Sequence, residues 1–188
     1  MKQSLVLDLD ETLLSTSVLP PPGVHYRVRV NRRFLYIRFR QGLKDFLNEV
    51  AKQFELYIFT SQPMRVAVQI IDLISREIIE IPKTNRFYRE DCIIENGYYV
   101  KDLTLIRKDT ENIFLVDDIQ GSAQRQPQCL VKAKPWLGFD DSDNELQETI
   151  IPALNQMRGK SARLQAVNHV SQFLVADTIF GLNYIFNV

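Results

Sequence analysis

Two carboxylates follow the first apolar run of the chain directly. The run Ser4-Leu5-Val6-Leu7 predicts a buried strand, and the polar segment 8–12 comes after it. Because side chains alternate along an extended chain, Asp8 and Asp10 should point the same way. Two unpaired carboxylates at the end of a buried strand are costly unless a cation or a reaction uses them. The same spacing occurs in calcium loops and ordinary turns, although Leu13-Leu14 departs from the EF-hand pattern.

Two further predicted strands also end in polar residues. Thr60-Ser61 follows the apolar run 54–59, and Asp117-Asp118 follows the run 113–116. Each pair alone has an ordinary explanation, as a helix cap or a turn cap. In an open α/β sheet, however, the carboxyl ends of the strands form the ligand-binding edge. Together with Lys101, these clusters favour phosphoryl transfer assisted by Mg²⁺, a cation that prefers carboxylates and water.

Apolar runs alternate with helical patterns along the chain, which predicts an α/β fold. We expect a Rossmann-like open, mostly parallel sheet with helices on both faces and a small β-hairpin insertion after strand 1. The hairpin strands are predicted at 26–30 and 34–39, a second hairpin at 93–100, a fourth core strand at 130–131, and helices at 43–52, from Pro63 to about 74, at 144–157 and at 162–184. Residues 1–160 are predicted to form the main domain, with the insertion at about 15–41. Residues 161–188 are predicted to be a helical extension packed on the domain or on a partner.

The composition narrows the class of protein. The chain has 188 residues, of which 45% are hydrophobic, and its formal net charge is zero. These values predict one globular domain with no global signal for direct nucleic-acid binding. Two cysteines are too few for a disulfide scaffold, so we expect an intracellular protein of the nucleus or cytoplasm. The apolar stretch 164–186 contains several polar residues, so no membrane span is expected, and the oligomeric state stays open.

Four motifs resemble those of the haloacid dehalogenase superfamily, and in particular of the small phosphatases that act on the C-terminal domain of RNA polymerase II (the NLI-interacting-factor-like family). They are Asp8-Leu9-Asp10-Glu11-Thr12-Leu13, then Leu56-Tyr57-Ile58-Phe59-Thr60-Ser61, then the segment 88–103 with Gly97-Tyr98-Tyr99-Val100-Lys101-Asp102-Leu103, and finally Ile113-Phe114-Leu115-Val116-Asp117-Asp118. The likeness covers about residues 3–157. The departures, at Ser15, Gln41 and Ile119-Gln120, remove none of the expected catalytic groups.

The resemblance implies a role for each motif residue. Asp8 is the expected nucleophile that forms an aspartyl-phosphate, and Asp10 is the expected general acid and base. The other expected catalytic residues are Thr12, which orders the loop, Thr60 and Lys101, which bind phosphate oxygens, and Asp117, which supports Lys101 or the metal waters. The expected Mg²⁺ ligands are Asp8, Asp10 through its backbone carbonyl, and Asp118. Ser61 is expected to contact the substrate beside Thr60 and Lys101.

The expected substrate follows from the size of the insertions. Superfamily members that act on small molecules commonly carry a cap domain, and both insertions here are short, so we expect a phosphorylated protein as partner. The function predicted is a Mg²⁺-dependent protein serine/threonine phosphatase. A small-molecule or lipid phosphatase and a non-catalytic adaptor of the same fold remain as alternatives. Arg27 and Arg29 are predicted to bind substrate, as part of an arginine-rich strip with Arg32, Arg33, Arg38 and Arg40, or else to form a solvated face.

Overall fold

A central sheet of five short parallel strands organises the chain. The structure is a computed structural model, and it describes residues 2–157. The strands are β1 Gln3–Leu7, β2 Leu14–Ser17, β3 Tyr26–Val30, β4 Arg33–Phe39, β5 Phe54–Phe59, β6 Arg86–Phe87, β7 Ile93–Glu95, β8 Tyr98–Val100, β9 Ile113–Asp117 and β10 Leu130–Lys132; the helices are α1 Leu43–Gln53, α2 Met64–Glu77 and α3 Ile151–Met157.

The strand order of the central sheet is β10-β9-β1-β5-β6, with every pairing parallel. β1 lies in the middle, and the chain leaves it first towards β5 and later returns on its other side as β9. The strands β1 and β9 are buried along almost their whole length, which is why they read as continuous apolar runs. Such a change of direction in the strand order places a crevice at the carboxyl end of the central strand. The predicted α/β class and parallel sheet are confirmed.

The insertion after β1 is a three-stranded antiparallel sheet with the order β2-β4-β3. The predicted hairpin is confirmed, because Val30 pairs with Arg33 across a two-residue turn in which Asn31 has a φ of 56°. β2 was not predicted, since Leu-Ser-Thr-Ser carries no alternation of large apolar residues. β2 adds a third strand to the hairpin, and a hairpin of two strands alone would be only marginally stable.

The helices bury their apolar faces in the hydrophobic core. α1 buries Leu43, Phe46, Leu47 and Val50, the four residues predicted from helical spacing. α2 continues to Glu77, past the predicted end at 74. The prediction ended too early because the last three residues of the helix are polar and carry no periodic signal of apolar side chains. The predicted helix 144–157 begins as a π-helical turn, Leu146–Ile150, before α3. Pro152, which has no N–H to donate, follows that turn closely.

Two predictions concern residues outside the described part of the chain. The helix at 162–184 and the boundary between residues 1–160 and 161–188 both depend on residues after 157, so they stay predictions. Within residues 2–157, no helix combines the length and the apolar character that crossing a membrane requires.

Candidate active site

The loop after β1 is held in a fixed, partly strained conformation. The backbone N–H of Asp8 still donates to the carbonyl of Val116 on β9, at 3.0 Å, so the sheet positions this residue directly. The loop then turns back, and the N–H groups of Leu13 and Leu14 both donate to the carbonyl of Leu9, at 2.8 and 3.1 Å. Glu11 has a φ of 63°, an uncommon conformation for a residue with a side chain.

Lys101 is the centre of a buried cluster of charges. Its side chain is only 2% exposed, and its Nζ donates to Asp8 Oδ1 at 2.5 Å and to Asp117 Oδ2 at 2.6 Å. The backbone N–H of Lys101 donates to the carbonyl of Ser122, at 2.8 Å, which fixes the lysine beside the loop that follows β9. Asp117 is held from its other side by the N–H of Ile119, at 2.7 Å. The structure therefore brings the predicted nucleophile, lysine and strand-end aspartate into direct contact.

Asp118 and Thr12 form the second part of the cluster. The hydroxyl of Thr12 donates to Asp118 Oδ1 at 3.0 Å and accepts from the backbone N–H of Asp118 at 3.1 Å. Thr12 is fully buried, and Asp118 is 9% exposed. The threonine thus joins the loop after β1 to the end of β9 and fixes the orientation of the Asp118 carboxylate.

The cluster holds more negative than positive charge. Within residues 2–157, Asp8, Asp117 and Asp118 form a group in which one carboxylate oxygen of each lies within 4.8 Å of the others. Lys101 is the ammonium that contacts this group. A small hard cation with oxygen ligands, such as Mg²⁺, fits the remaining charge and the chemistry of the donors. The carboxylate of Asp10 is not part of the group, and the role predicted for its backbone carbonyl stays a prediction.

Burial perturbs the titration of these groups. It raises the pKa of Asp8 to about 8, although the charge of Lys101 opposes the shift. Burial and the charge of Asp117 likewise raise the pKa of Asp118. For Lys101, burial alone would lower the pKa, but the charges of Asp117 and Asp8 outweigh it and raise the pKa above its ordinary value. The lysine is therefore a permanent cation, whereas the carboxylates need a further positive charge to be fully ionised.

Asp10 lies beside the cluster in a different environment. Its Oδ1 accepts from the hydroxyl of Thr16 on β2, at 2.9 Å. Burial raises the pKa of Asp10, and the hydrogen bonds from Thr16 and Gln62 oppose the shift. A carboxyl with a raised pKa beside another carboxylate is compatible with the general-acid role predicted for Asp10, which stays a prediction.

Thr60 and Ser61 reach the same edge of the sheet at the end of β5. The register pairs Leu7 with Ile58, so Asp8 and Thr60 both lie just past the carboxyl ends of neighbouring strands. Thr60 is fully buried, and its hydroxyl oxygen accepts from the N–H of Gln62 at 3.1 Å, which leaves its proton available to another acceptor. The sequence analysis correctly expected these two residues at the edge that carries the acidic loop, because both follow the carboxyl end of a predicted strand.

A cavity of about 130 Å³ opens onto the cluster. It is lined by Asp8, Ser61, Gly97, Tyr98, Tyr99, Lys101, Asp117, Ile119 and Ser122. A wider groove of about 690 Å³ lies at the start of α2, between Pro63 and Glu90, and Asp8, Asp117 and Asp118 do not line it. The smaller cavity is the candidate active site because the buried charges face it.

The second hairpin, β7–β8, forms one wall of this cavity, which sequence reasoning missed. Its turn is Asn96-Gly97, with φ values of 49° and 81°, and Tyr98 and Tyr99 follow directly. The ring of Tyr98 lies against Gly121, where an added Cβ would come within 2.4 Å of the ring. The available signal was the short distance in sequence between this turn and Lys101.

The arginines of the insertion divide into two groups. Arg27 and Arg29 are exposed on β3, Arg27 lies over the ring of Phe34, and neither lines the cavity formed by the described residues. Their role in substrate binding stays a prediction. The assignment of Arg38 and Arg40 to the exposed strip is wrong. Arg38 pairs with Asp141 and lies over Trp136, and Arg40 is 1% exposed. Both side chains form ion pairs with aspartates from the chain after β10, namely Asp141 and Asp143, and these pairs keep them away from the exposed strip.

Comparison with known proteins identifies the family. A sequence model described as NLI interacting factor-like phosphatase matches residues 3–165. The chain belongs to this family. CTD small phosphatase-like protein 1 of Caenorhabditis elegans is 31% identical over 166 residues, which cover 86% of this chain and 33% of that protein. The human CTD small phosphatase-like protein is 30% identical over 154 residues, which cover 79% of this chain and 54% of that protein.

A solved structure of the fission yeast RNA polymerase II CTD phosphatase Fcp1, bound to beryllium fluoride, resembles this chain in fold. The TM-score is 0.56 at 19% identity, and the match covers 100% of this chain and 59% of that one. The chain spans about a third to a half of the length of the first curated relatives that it matches. The family resemblance inferred from the four sequence motifs is confirmed.

Proposed function

We propose that this chain is a Mg²⁺-dependent protein serine/threonine phosphatase that works through an aspartyl-phosphate on Asp8. One observation carries the proposal: the buried Asp8 carboxylate, held by Lys101, is one of a group of three carboxylates, and it lines a cavity. Phosphoryl transfer needs an in-line nucleophile and positive charge around the transferred group, and the cluster offers both.

In the first step, an Oδ of Asp8 attacks the phosphorus, and the bond from phosphorus to the substrate oxygen breaks. Asp10 donates a proton to that oxygen, so the alcohol leaves neutral. Lys101 and the Thr60 hydroxyl stabilise the charge on the phosphoryl oxygens. Mg²⁺, held by Asp8, Asp118 and the backbone carbonyl of Asp10, would supply further positive charge at those oxygens.

In the second step, a water attacks the phosphorus of the aspartyl-phosphate and gives a proton to Asp10. The bond from phosphorus to the Asp8 oxygen breaks, which releases inorganic phosphate and restores both carboxyl groups. Asp117 acts throughout by holding Lys101 in place, with its other oxygen fixed by the N–H of Ile119.

A phosphorylated protein is the proposed substrate. The cavity of about 130 Å³ holds a phosphoryl group and a short side chain, well below the ~300–1,000 Å³ typical of small-molecule pockets. The relatives named above as CTD phosphatases support a phosphoserine or phosphothreonine substrate, including the C-terminal domain of RNA polymerase II. Two free cysteines, Cys92 and Cys129, support the proposed location in the nucleus or cytoplasm.

The test compares phosphopeptides with small phosphate esters, each assayed with Mg²⁺ and with excess chelator. The proposal expects turnover of phosphoserine or phosphothreonine peptides only when Mg²⁺ is present, and inhibition by beryllium fluoride as a mimic of the aspartyl-phosphate. Equal hydrolysis in chelator would overturn the metal assignment. Hydrolysis of small or lipid phosphates with no peptide turnover would replace the substrate class, and no turnover of any ester would indicate a non-catalytic adaptor.

A further inference from the structure

Arg40 forms a buried, bidentate ion pair with Asp143. Its Nε donates to Asp143 Oδ2 and its Nη2 donates to Asp143 Oδ1, both at 2.7 Å, across 103 positions of sequence. The side chain of Arg40 is inaccessible, and that of Asp143 is 6% exposed. This geometry uses both carboxylate oxygens and fixes the plane of the guanidinium group.

The third nitrogen of the guanidinium contacts the catalytic loop. Nη1 of Arg40 donates to the backbone carbonyl of Thr12, at 3.0 Å, and the backbone N–H of Arg40 donates to the carbonyl of Leu13, also at 3.0 Å. Thr12 in turn both donates to and accepts from Asp118. A continuous path of hydrogen bonds therefore runs from Asp143 through Arg40 and Thr12 to a predicted metal ligand.

A neighbouring ion pair lacks this connection. Arg38, two residues earlier on β4, pairs with Asp141 and donates to the carbonyl of Gly138. Both pairs join the insertion to the segment before α3, but within residues 2–157 the Arg38 pair makes no hydrogen bond to Thr12, and its aspartate is 75% exposed. A buried ion pair is by itself weak evidence for stability, so the contact with Thr12 is the feature that calls for a functional explanation.

We propose that Arg40 and Asp143 are positioning residues that set the Mg²⁺ affinity of the site through Thr12 and Asp118. By holding the Thr12 carbonyl, Arg40 fixes the hydroxyl that orients one oxygen of Asp118 and leaves the other for the cation. Groups that orient metal ligands typically contribute about 10- to 100-fold in metal affinity. The inference rests on the proposed Mg²⁺ site.

The experiment measures Mg²⁺ binding to the full chain by titration calorimetry, independently of turnover. Asp143→Asn keeps the shape of the side chain but removes the charge that orients Arg40, and we expect about 10-fold weaker binding. The matched control is Asp141→Asn, which alters the neighbouring pair and should bind Mg²⁺ as the parent chain does. Arg40→Lys keeps the positive charge but cannot form the bidentate contact with Asp143. It should weaken Mg²⁺ binding about as much as Asp143→Asn does.

A double-mutant cycle separates positioning from general destabilisation. Thr12→Val removes the hydroxyl that links the loop to Asp118, so adding Asp143→Asn to that background should weaken Mg²⁺ binding little further. If Asp143→Asn does not fold, the paired change Arg40→Met with Asp143→Leu removes the ion pair without leaving a buried charge, and we expect it to lose affinity in the same way.

Three outcomes would overturn the inference. Asp143→Asn, or the paired apolar change, could bind Mg²⁺ as tightly as the parent chain. Asp141→Asn could lose as much affinity as Asp143→Asn, or the losses from Thr12→Val and Asp143→Asn could add in full. In each case the parent chain still binds Mg²⁺, so the proposed function stands. A parent chain that binds no Mg²⁺ would overturn both.

Discussion

Two regions of this molecule carry concentrated charge, and they differ in how much water reaches it. At the sheet edge, Lys101 and three carboxylates are almost fully buried. Lys101 contacts Asp8 and Asp117 at hydrogen-bond distance, and Asp118 has a carboxylate oxygen within 4.8 Å of theirs. On the insertion, Arg27 and Arg29 are exposed on β3. Charges in a water-poor site interact strongly and perturb one another's pKa, whereas exposed charges are screened. The comparison therefore assigns chemistry to the first region and, at most, recognition to the second.

The largest expected effect comes from removing the nucleophile. Asp8→Asn should abolish measurable turnover, because the amide cannot form the acyl phosphate, while the fold persists since the change is nearly isosteric. Hydrolysis of an aryl phosphate and the circular dichroism spectrum check both points. The matched control is Asp72→Asn, an aspartate 56% exposed in a pair with Arg86, which should keep its activity. A near-normal rate for Asp8→Asn would mean that Asp8 in the buried cluster is not the nucleophile.

Replacing the proposed general acid should have the next largest effect. Asp10→Asn should lower kcat for a phosphoserine peptide by about 100- to 10,000-fold, the usual contribution of a general acid and base. The loss in the first step should be smaller for an aryl phosphate, whose leaving group needs little protonation. A pre-steady-state burst of the released phenol, or of the dephosphorylated peptide, measures that step for each ester. Equal losses of burst rate for both esters would argue against proton donation by Asp10.

The pH dependence of Mg²⁺ binding tests the burial of the cluster. Because the pKa of Asp8 is raised to about 8, its carboxyl is protonated below that value, and Mg²⁺ must displace the proton. Affinity should therefore fall by about tenfold per unit as the pH drops from 8 to 6, with proton release on binding. Calorimetry in two buffers of different ionisation enthalpy measures both quantities. Binding that is independent of pH would mean that Asp8 is already ionised.

The smallest expected effect concerns the exposed region. Changing Arg27, Arg29, Arg32 and Arg33 to Gln should raise KM for an acidic or multiply phosphorylated peptide by about three- to tenfold. The kcat value and the hydrolysis of a small aryl phosphate should stay nearly unchanged, because such contacts are the same in ground and transition states. The control changes Lys83 and Lys108 to Gln, since both are exposed lysines on other segments. It removes the same charge as changing two of the four arginines.

Salt provides a second check on the same comparison. The difference in KM between the parent chain and the quadruple variant should shrink as ionic strength rises, since exposed charges are screened beyond about 10 Å at 0.1 M. If the quadruple variant has the same KM for the peptide as the parent chain at low salt, the arginines form only a solvated face.

Local patterns in the sequence predicted the parts of the site that follow directly from strands. Asp8, Thr60 and Asp117 each lie at or just after the end of an apolar run, and parallel strands bring such ends together. The ion pair of Arg40 with Asp143 could not be predicted in this way, because its partners lie 103 positions apart and an arginine that follows an alternating strand is ordinarily exposed. The contribution of Tyr98 and Tyr99 to the cavity was missed for a related reason, since it depends on where the second hairpin packs in the folded chain.

The most direct test of the central claim is to trap the covalent intermediate. Rapid acid quenching of the full chain during turnover of a phosphopeptide with Mg²⁺, followed by peptide mass spectrometry, should find one added phosphoryl group on Asp8 that hydroxylamine removes. The group should be absent in chelator and in Asp8→Asn. Steady turnover with no phosphorylated enzyme, or with the group on another residue, would contradict the account.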